Sequence, residues 1–158
     1  EAVAAIEKLA SRLDLEILLP YLTDESERIR HKVIEMLSLN KFKPAFREIS
    51  GIIESGSFNN LEYEEQRNLL KSLALTGEMD ALPTLTKIAK KKNLFSSESI
   101  EKKKEAALQA ISLIETPEAW EFIEYIAKKK KGALSNLAKL ILEKKGPLIA
   151  DRSSKETQ

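Results

Sequence analysis

The sequence contains no cysteine and a single histidine, His31, and these two scarcities remove whole classes of chemistry. Without cysteine there can be no disulfide and no thiolate nucleophile, and a reducing cytoplasm is the expected compartment. One histidine leaves no His-based metal cluster and no imidazole to spare for activating a hydroxyl. The motifs of serine hydrolases, P-loop proteins, zinc proteases and dithiol enzymes are also missing. The sequence therefore predicts no catalytic residue, no cofactor and no metal site.

Long apolar runs are missing as well, because no stretch approaches the ~20 apolar residues that a membrane span requires. Glycine and proline number five each, while 42% of the residues are hydrophobic and 32% are charged. This balance is typical of a soluble helical protein and excludes a disordered chain. No signal peptide is visible, and the chain opens at Glu1 rather than Met, so we expect a fragment of a larger protein. The oligomeric state stays open.

A strong charge of either sign is lacking too, since the formal net charge is +1. The charge is distributed unevenly. Residues 1–78 carry 10 basic and 14 acidic groups, a balance of −4, and residues 79–158 carry 16 and 11, a balance of +5. An asymmetry this mild does not by itself predict a nucleic-acid partner.

What the chain does have is a succession of short segments with apolar residues at helical spacing. No segment alternates with period two, so strands are not expected. Pro20 is predicted to kink its helix, Gly77 to end one as the C′ residue, and Thr116 to cap the helix that starts at Pro117. Gly146 is predicted to open a further pair that is not completed. The predicted segments are Ala2–Leu13, Leu15–Leu22, Ser26–Leu39, Lys41–Ser55, Leu61–Thr76, Ala81–Lys91, Ile100–Ile114, Pro117–Lys131 and Leu134–Leu142.

These segments repeat in pairs. Alignment of every second segment places small or apolar residues four positions apart in each copy, at Ala5/Leu9, Val33/Leu37, Leu69/Leu73, Ala107/Ile111 and Ala138/Leu142. Helical pairs that recur along a chain in this way are typical of helical-repeat proteins. The alignment predicts one helical domain, 1–147, with a lone helix 1–13 followed by four pairs, and a polar tail 148–158. The pairs are 14–40, 41–77, 78–115 and 116–146.

The residues of the first full pair resemble a HEAT repeat of the short, phycobilisome-lyase-like kind. Leu19-Pro20-x-Leu22-x-Asp24 is followed by Ile29-Arg30-x-x-Val33, and later copies such as Ala81-Leu82-Pro83-x-Leu85 are similar. The resemblance implies an all-α fold, a right-handed α-α superhelix or solenoid, whose second helices line a concave surface used mostly to bind proteins. The family also includes chromophore lyases, DNA glycosylases and a metal-dependent hydroxylase with His-Glu pairs. The single histidine excludes that last activity here.

If that geometry holds, residues off the apolar stripes of the second helices form a row along the concave surface. The row is mixed in sign, which suits a protein or peptide partner better than a phosphate backbone. Its members are His31, Glu35, Arg67, Lys71, Glu105, Gln109 and Asn136.

Two further groups of residues admit a structural and a functional interpretation. Asp24 and Arg30 are interpreted as structural, a turn carboxylate that caps the second helix and holds a neighbouring guanidinium. Phe58 and Phe95 lie in the two longest loops within pairs, where they are either partner anchors or covers for the helix ends.

Lysine runs give the alternative hypothesis of a nucleic-acid-binding repeat protein. They lie mostly at helix C-termini, where cations complement the helix dipole, and no aromatic residue is interleaved with them. A nucleic-acid partner is therefore not expected. The main hypothesis is a non-catalytic protein-binding or scaffold module, and an accessory domain of a lyase-type enzyme is a further alternative. The runs are Lys90–Lys92, Lys102–Lys104, Lys128–Lys131 and Lys144-Lys145.

Overall fold

A computed structural model describes residues 15–91, 97–129 and 132–155 of the chain, with side chains up to residue 144. Every regular element in these ranges is helical, which confirms the all-α class and the expected lack of strands. None of the described helices combines the length and apolar character needed to cross a membrane. The α-helices are α1 (Glu27–Leu39), α2 (Ala45–Glu54), α3 (Tyr63–Gly77), α4 (Leu82–Lys90), α5 (Glu98–Ile111), α6 (Pro117–Lys128) and α7 (Ala133–Lys155).

The described residues also form three 3₁₀ segments, at Leu15–Thr23, Gly56–Asn60 and Glu78–Ala81. The first of them lies where the sequence predicts a kinked α-helix. Pro20 lies inside it and has no N–H to donate, so the whole segment Leu15–Thr23 takes the tighter 3₁₀ form rather than an α-helix with one bend. The predicted lone helix 1–13 lies outside the described residues.

The helices pack as sequential pairs, and the second members of the pairs form a continuous layer. The 3₁₀ helix Leu15–Thr23 packs against α1, α2 against α3, α4 against α5, and α6 against α7. The second members of these pairs also pack on one another in order, α1 on α3, α3 on α5, and α5 on α7. We call α1, α3, α5 and α7 the second-helix layer.

The aligned apolar positions form the centre of the core. Val33, Leu37, Leu69 and Leu73 are at most 1% exposed, and the equivalent side chains of α5 and α7, Ala107, Ile111 and Ala138, are fully buried. These residues recur every fourth position, so each second helix turns the same stripe toward its first-helix partner. Burial at equivalent positions supports the register of the alignment in the described helices.

The predicted start of α6 is confirmed, and the predicted end of α7 was wrong. Thr116 is the N-cap of α6, with its hydroxyl accepting from the Ala119 N–H at 3.4 Å, and Pro117 takes the first helical position as predicted. The predicted break at Gly146 was wrong, because α7 continues through Gly146 and Pro147 to Lys155. Most of the predicted tail 148–158 therefore belongs to a helix, and 156–158 lies outside the described residues.

The link between α3 and α4 places an unfavourable backbone conformation on a non-glycine residue. Gly77, predicted as the C′ residue, is instead the last residue of α3, and the positive φ falls on Glu78 (φ 48°, ψ −120°). L-residues rarely occupy this region, at a cost of about 1–3 kcal/mol.

Glu78→Gly is expected to raise the free energy of unfolding by about 1 kcal/mol, because glycine adopts positive φ without a Cβ clash. The measurement is urea unfolding followed by circular dichroism. Glu54→Gly is the matched control, since Glu54 is an exposed carboxylate at the regular end of α2. It is expected to lose stability by about 0.5–1 kcal/mol. A loss of stability in both variants would contradict the argument.

Candidate functional site

A groove of about 650 Å³ lies on the second-helix layer between α1 and α3. Three residues of the predicted row, His31, Glu35 and Lys71, contribute to its walls. They meet there because α1 and α3 pack side by side and both turn residues off their apolar stripes toward solvent. The other lining residues are Arg28, Lys32, Ile34, Ser38, Leu39, Lys41, Asn68 and Leu75.

The remaining members of the row do not line this groove. Arg67 lies one turn before Lys71 on α3 and forms an ion pair with Glu64, with Nη2 and Oε2 2.9 Å apart. Glu105 and Gln109 lie on α5 and Asn136 lies on α7, further along the second-helix layer. The structure thus gathers the N-terminal part of the row into one groove.

The charge of the groove differs from the mixed pattern that the sequence predicts. Four cationic side chains, those of Arg28, Lys32, Lys41 and Lys71, line it beside one carboxylate, Glu35. Glu35 accepts from the Lys32 ammonium at 3.1 Å, so this carboxylate is already engaged.

Three of these cations have no counter-ion among the residues that the structure describes. Arg28, Lys41 and Lys71 make no ion pair within 4.0 Å and no side-chain hydrogen bond to any described residue. Their charge therefore faces the groove without local compensation. Sequence analysis missed Arg28 and Lys32, although Arg28 lies one helical turn from His31 and Lys32 lies one turn from Glu35 on α1.

Lys41 was also missed, and no periodic signal could have found it. It follows α1 with φ 45°, and its backbone N–H donates to Ser38 O at 3.0 Å. This tight turn brings Lys41 back beside the end of α1, next to Leu39, whose side chain is 77% exposed. With Ile34 and Leu75, Leu39 gives the groove an apolar component between its cations.

A second, smaller pocket of about 150 Å³ adjoins the groove and shares Lys41 and Leu75 with it. Its other walls include Glu78, Glu115 and Thr116, at the C-terminal ends of α3 and α5. The sign of the lining charge thus changes from positive to negative as the surface passes from α1 toward α5.

Behind the groove, a buried ion pair joins α1 to α3. Arg30 Nε and Nη2 donate to the two carboxylate oxygens of Glu65, at 2.5 and 2.8 Å. The Glu65 side chain is 3% exposed. The hydrogen bonds that Arg30 donates to Glu65 raise the pKa of Arg30 above its already high ordinary value, so the guanidinium stays charged.

The same guanidinium holds the turn before α1. Arg30 Nη1 donates to the backbone carbonyls of Asp24 and Glu25, at 2.8 and 3.1 Å, whereas the Asp24 carboxylate accepts from the Ser26 N–H at 2.8 Å. Both residues are therefore structural, but the carboxylate hydrogen-bonded to Arg30 is Glu65 rather than Asp24. Glu65 is therefore buried between α1 and α3, although the neighbouring Glu64 is 57% exposed.

Glu27, His31 and Glu65 bring one potential metal ligand each to within 4.8 Å of one another. Both Glu65 oxygens already accept from Arg30, whose positive charge opposes a cation at this position. His31 Nε2 is buried without a hydrogen bond and lies 3.8 Å from Glu27 Oε1. We assign no metal site to this cluster.

Of the two loop phenylalanines, the structure describes only Phe58. Phe58 is 4% exposed, so the anchor interpretation fails and the covering interpretation holds. The buried Gln66 amide explains why, because its Nε2 donates to the carbonyls of Phe58 and Leu61 at 3.0 and 2.8 Å and ties the loop to α3. Phe95 lies outside the described residues.

Three lysines of the runs form ion pairs with carboxylates of their own helices. Lys102, Lys104 and Lys128 pair with Glu98, Glu101 and Glu124, at 2.7, 2.7 and 3.2 Å. The hydrogen bond that Lys102 donates to Glu98 raises the pKa of Lys102.

Three other lysines of these runs contact neutral groups, and one of them, Lys129, lies over the ring of Tyr125. Lys90 lies over the rings of Phe122 and Tyr125. Lys103 donates to Asn59 Oδ1 at 2.9 Å, and burial, together with the charge of Lys91, lowers its pKa.

No known relative guides the interpretation of the groove. Comparison of the chain with models of protein families, with curated proteins and with solved structures gives no match.

Proposed function

We propose that the chain is a non-catalytic protein-binding or scaffold module, built as a HEAT-like right-handed solenoid, whose second-helix layer binds a segment of a partner. Support for the solenoid comes from the sequential packing of pairs and the ordered contact of α1, α3, α5 and α7. This is the arrangement expected when each repeat buries its apolar face against its neighbours. A cysteine-free chain needs no oxidising compartment, which supports a cytoplasmic location as part of the proposal.

The observation that carries the binding proposal is the groove itself. It combines a volume of about 650 Å³ with an isolated leucine, Leu39, that is 77% exposed. Exposed apolar side chains set among polar ones at a concave surface are typical anchors for a partner. The lining residues lie on two packed helices, so the groove is largely preformed and binding costs little ordering of the chain.

The paired lysines do not favour the nucleic-acid alternative. In the described parts of the lysine runs, most ammonium groups contact carboxylates, aromatic rings or Asn59 rather than lying in an open basic stripe. Nucleic-acid affinity depends on such unpaired cations. We therefore keep protein binding as the function.

Peptides selected from a random library against the chain are expected to bind in the groove. Amide chemical-shift changes should then cluster on Arg28, Glu35 and Lys71. Leu39→Ser is expected to weaken binding about tenfold, because it removes an apolar contact. Leu140→Ser is the matched control, since Leu140 is an exposed leucine of α7 outside the groove. Chemical-shift changes confined to α2, α4 and α6, or the absence of any selected binder, would refute the proposed function.

A further inference from the structure

We propose that the partner segment bound in this groove is a short acidic stretch of polypeptide that carries an apolar residue. The inference rests on the proposed function and adds the chemistry of the ligand. It is drawn from the charge of the groove, from its apolar component and from the change of sign at its end.

The charge comes first. Arg28, Lys41 and Lys71 face the groove without a counter-ion among the described residues, and the carboxylate of Glu35 is engaged by Lys32. Like charges gathered on one concave surface repel one another, and an anionic ligand relieves that repulsion. Aspartate or glutamate side chains of a partner could each pair with one of these three cations. The groove therefore favours an acidic ligand.

The apolar component decides between kinds of anion. Leu39 is 77% exposed and lies among the cations, with Ile34 and Leu75 in the same groove. A sugar-phosphate backbone has no apolar side chain with which to cover a leucine. A polypeptide can place a leucine or phenylalanine there and keep carboxylates on either side. The ligand is thus an acidic peptide segment rather than a nucleic acid.

The neighbouring pocket limits the length of the acidic stretch. Beyond Lys41 and Leu75 the surface presents Glu78 and Glu115. A uniform polyanion that continued across the second-helix layer would meet these carboxylates and be repelled. A peptide can change its composition at that point. The acidic part of the ligand is therefore short, and the residue that follows it is neutral or basic.

The test uses three fluorescent peptides of equal length in which glutamate, glutamine or lysine flanks a single leucine. Binding to the full chain is followed by fluorescence anisotropy at low and at high salt. The glutamate peptide is expected to bind about tenfold more tightly than the glutamine peptide and to lose this advantage at high salt. The lysine peptide is expected to bind weakest.

Charge-reversal variants locate the interaction. Lys41→Glu combined with Lys71→Glu is expected to weaken the glutamate peptide about tenfold, because two attractions become repulsions. Lys87→Glu combined with Lys139→Glu is the matched control, which changes the net charge equally on exposed residues of α4 and α7 outside the groove. Circular dichroism verifies that both variants are folded. The control is expected to bind like the unchanged chain.

Each other outcome overturns the inference. Equal affinity for the glutamate and glutamine peptides would show that the charge of the ligand does not contribute to binding. No binding of the glutamate peptide would show that an acidic segment with a leucine is not sufficient for binding. Tighter binding of duplex DNA, lost in the Lys41→Glu/Lys71→Glu variant, would assign the groove to nucleic acid. In the first two cases the library selection decides separately whether the proposed function stands, because groove-binding peptides of any composition support it.

Discussion

Arg30→Met is expected to lower the free energy of unfolding by about 3–5 kcal/mol, the largest single-residue effect that we expect in this chain. The substitution keeps much of the aliphatic stem but leaves the Glu65 carboxylate, 3% exposed, without the guanidinium that now donates to both of its oxygens. An ionised carboxylate without a partner is poorly tolerated away from water. The carbonyls of Asp24 and Glu25 lose a donor at the same time. Urea unfolding followed by circular dichroism measures the change.

Arg67→Met is the matched control, because it makes the same substitution on α3 in an ion pair that lies at the surface. Arg67 and Glu64 are 47% and 57% exposed, and such pairs contribute about 0.2–1 kcal/mol. The Arg30→Met/Glu65→Leu double variant removes both buried charges and is expected to recover most of the lost stability. If Arg30→Met lost no more stability than Arg67→Met, the ion pair would not join α1 to α3 as described.

The periodic part of the fold could be predicted from the sequence. Helical spacing located α1 to α6 to within a few residues, and the repeat alignment selected positions such as Val33, Leu69 and Ala107 that are buried. The reason is physical, because burial of one stripe per helix requires apolar residues every third or fourth position. The cap of α6 at Thr116 was predictable on equally local grounds.

What could not be predicted depends on contacts between distant residues or on backbone conformations outside the regular classes. Glu65 reads as a surface carboxylate until α1 brings Arg30 against it from 35 positions away. Lys41 joins the groove only through a turn with positive φ. Pro147 is a helix breaker by propensity, yet α7 continues through it. Lys41 adds its charge to the groove through such a placement, whereas Arg28 and Lys32 share one face of α1 and could have been recognised from helical spacing. The sequence predicted a row of mixed sign on the second helices, and the groove is predominantly cationic.

Gly77→Ala is expected to lower the free energy of unfolding by about 1–2 kcal/mol, although alanine is the better helix former. Gly77 is the last residue of α3, and a Cβ there would overlap Cδ2 and Cε2 of Phe46 on α2. The Phe46 ring, which packs against the core, would have to move and give up contacts. The expected loss of about 1–3 kcal/mol from this overpacking exceeds the gain of about 0.5–1 kcal/mol from propensity.

Gly51→Ala is the matched control and should change stability in the opposite direction. Gly51 lies in α2, where an added Cβ would meet nothing within 4 Å, so only the propensity gain of about 0.5–1 kcal/mol remains. Combining Gly77→Ala with Phe46→Ala isolates the contact, because without the ring the glycine substitution is expected to become neutral or favourable. Equal effects of the Gly77 and Gly51 substitutions would mean that glycine at the end of α3 is a matter of helix propensity alone. The opposite signs that we expect would instead show that Gly77 is required for the close approach of α2 and α3.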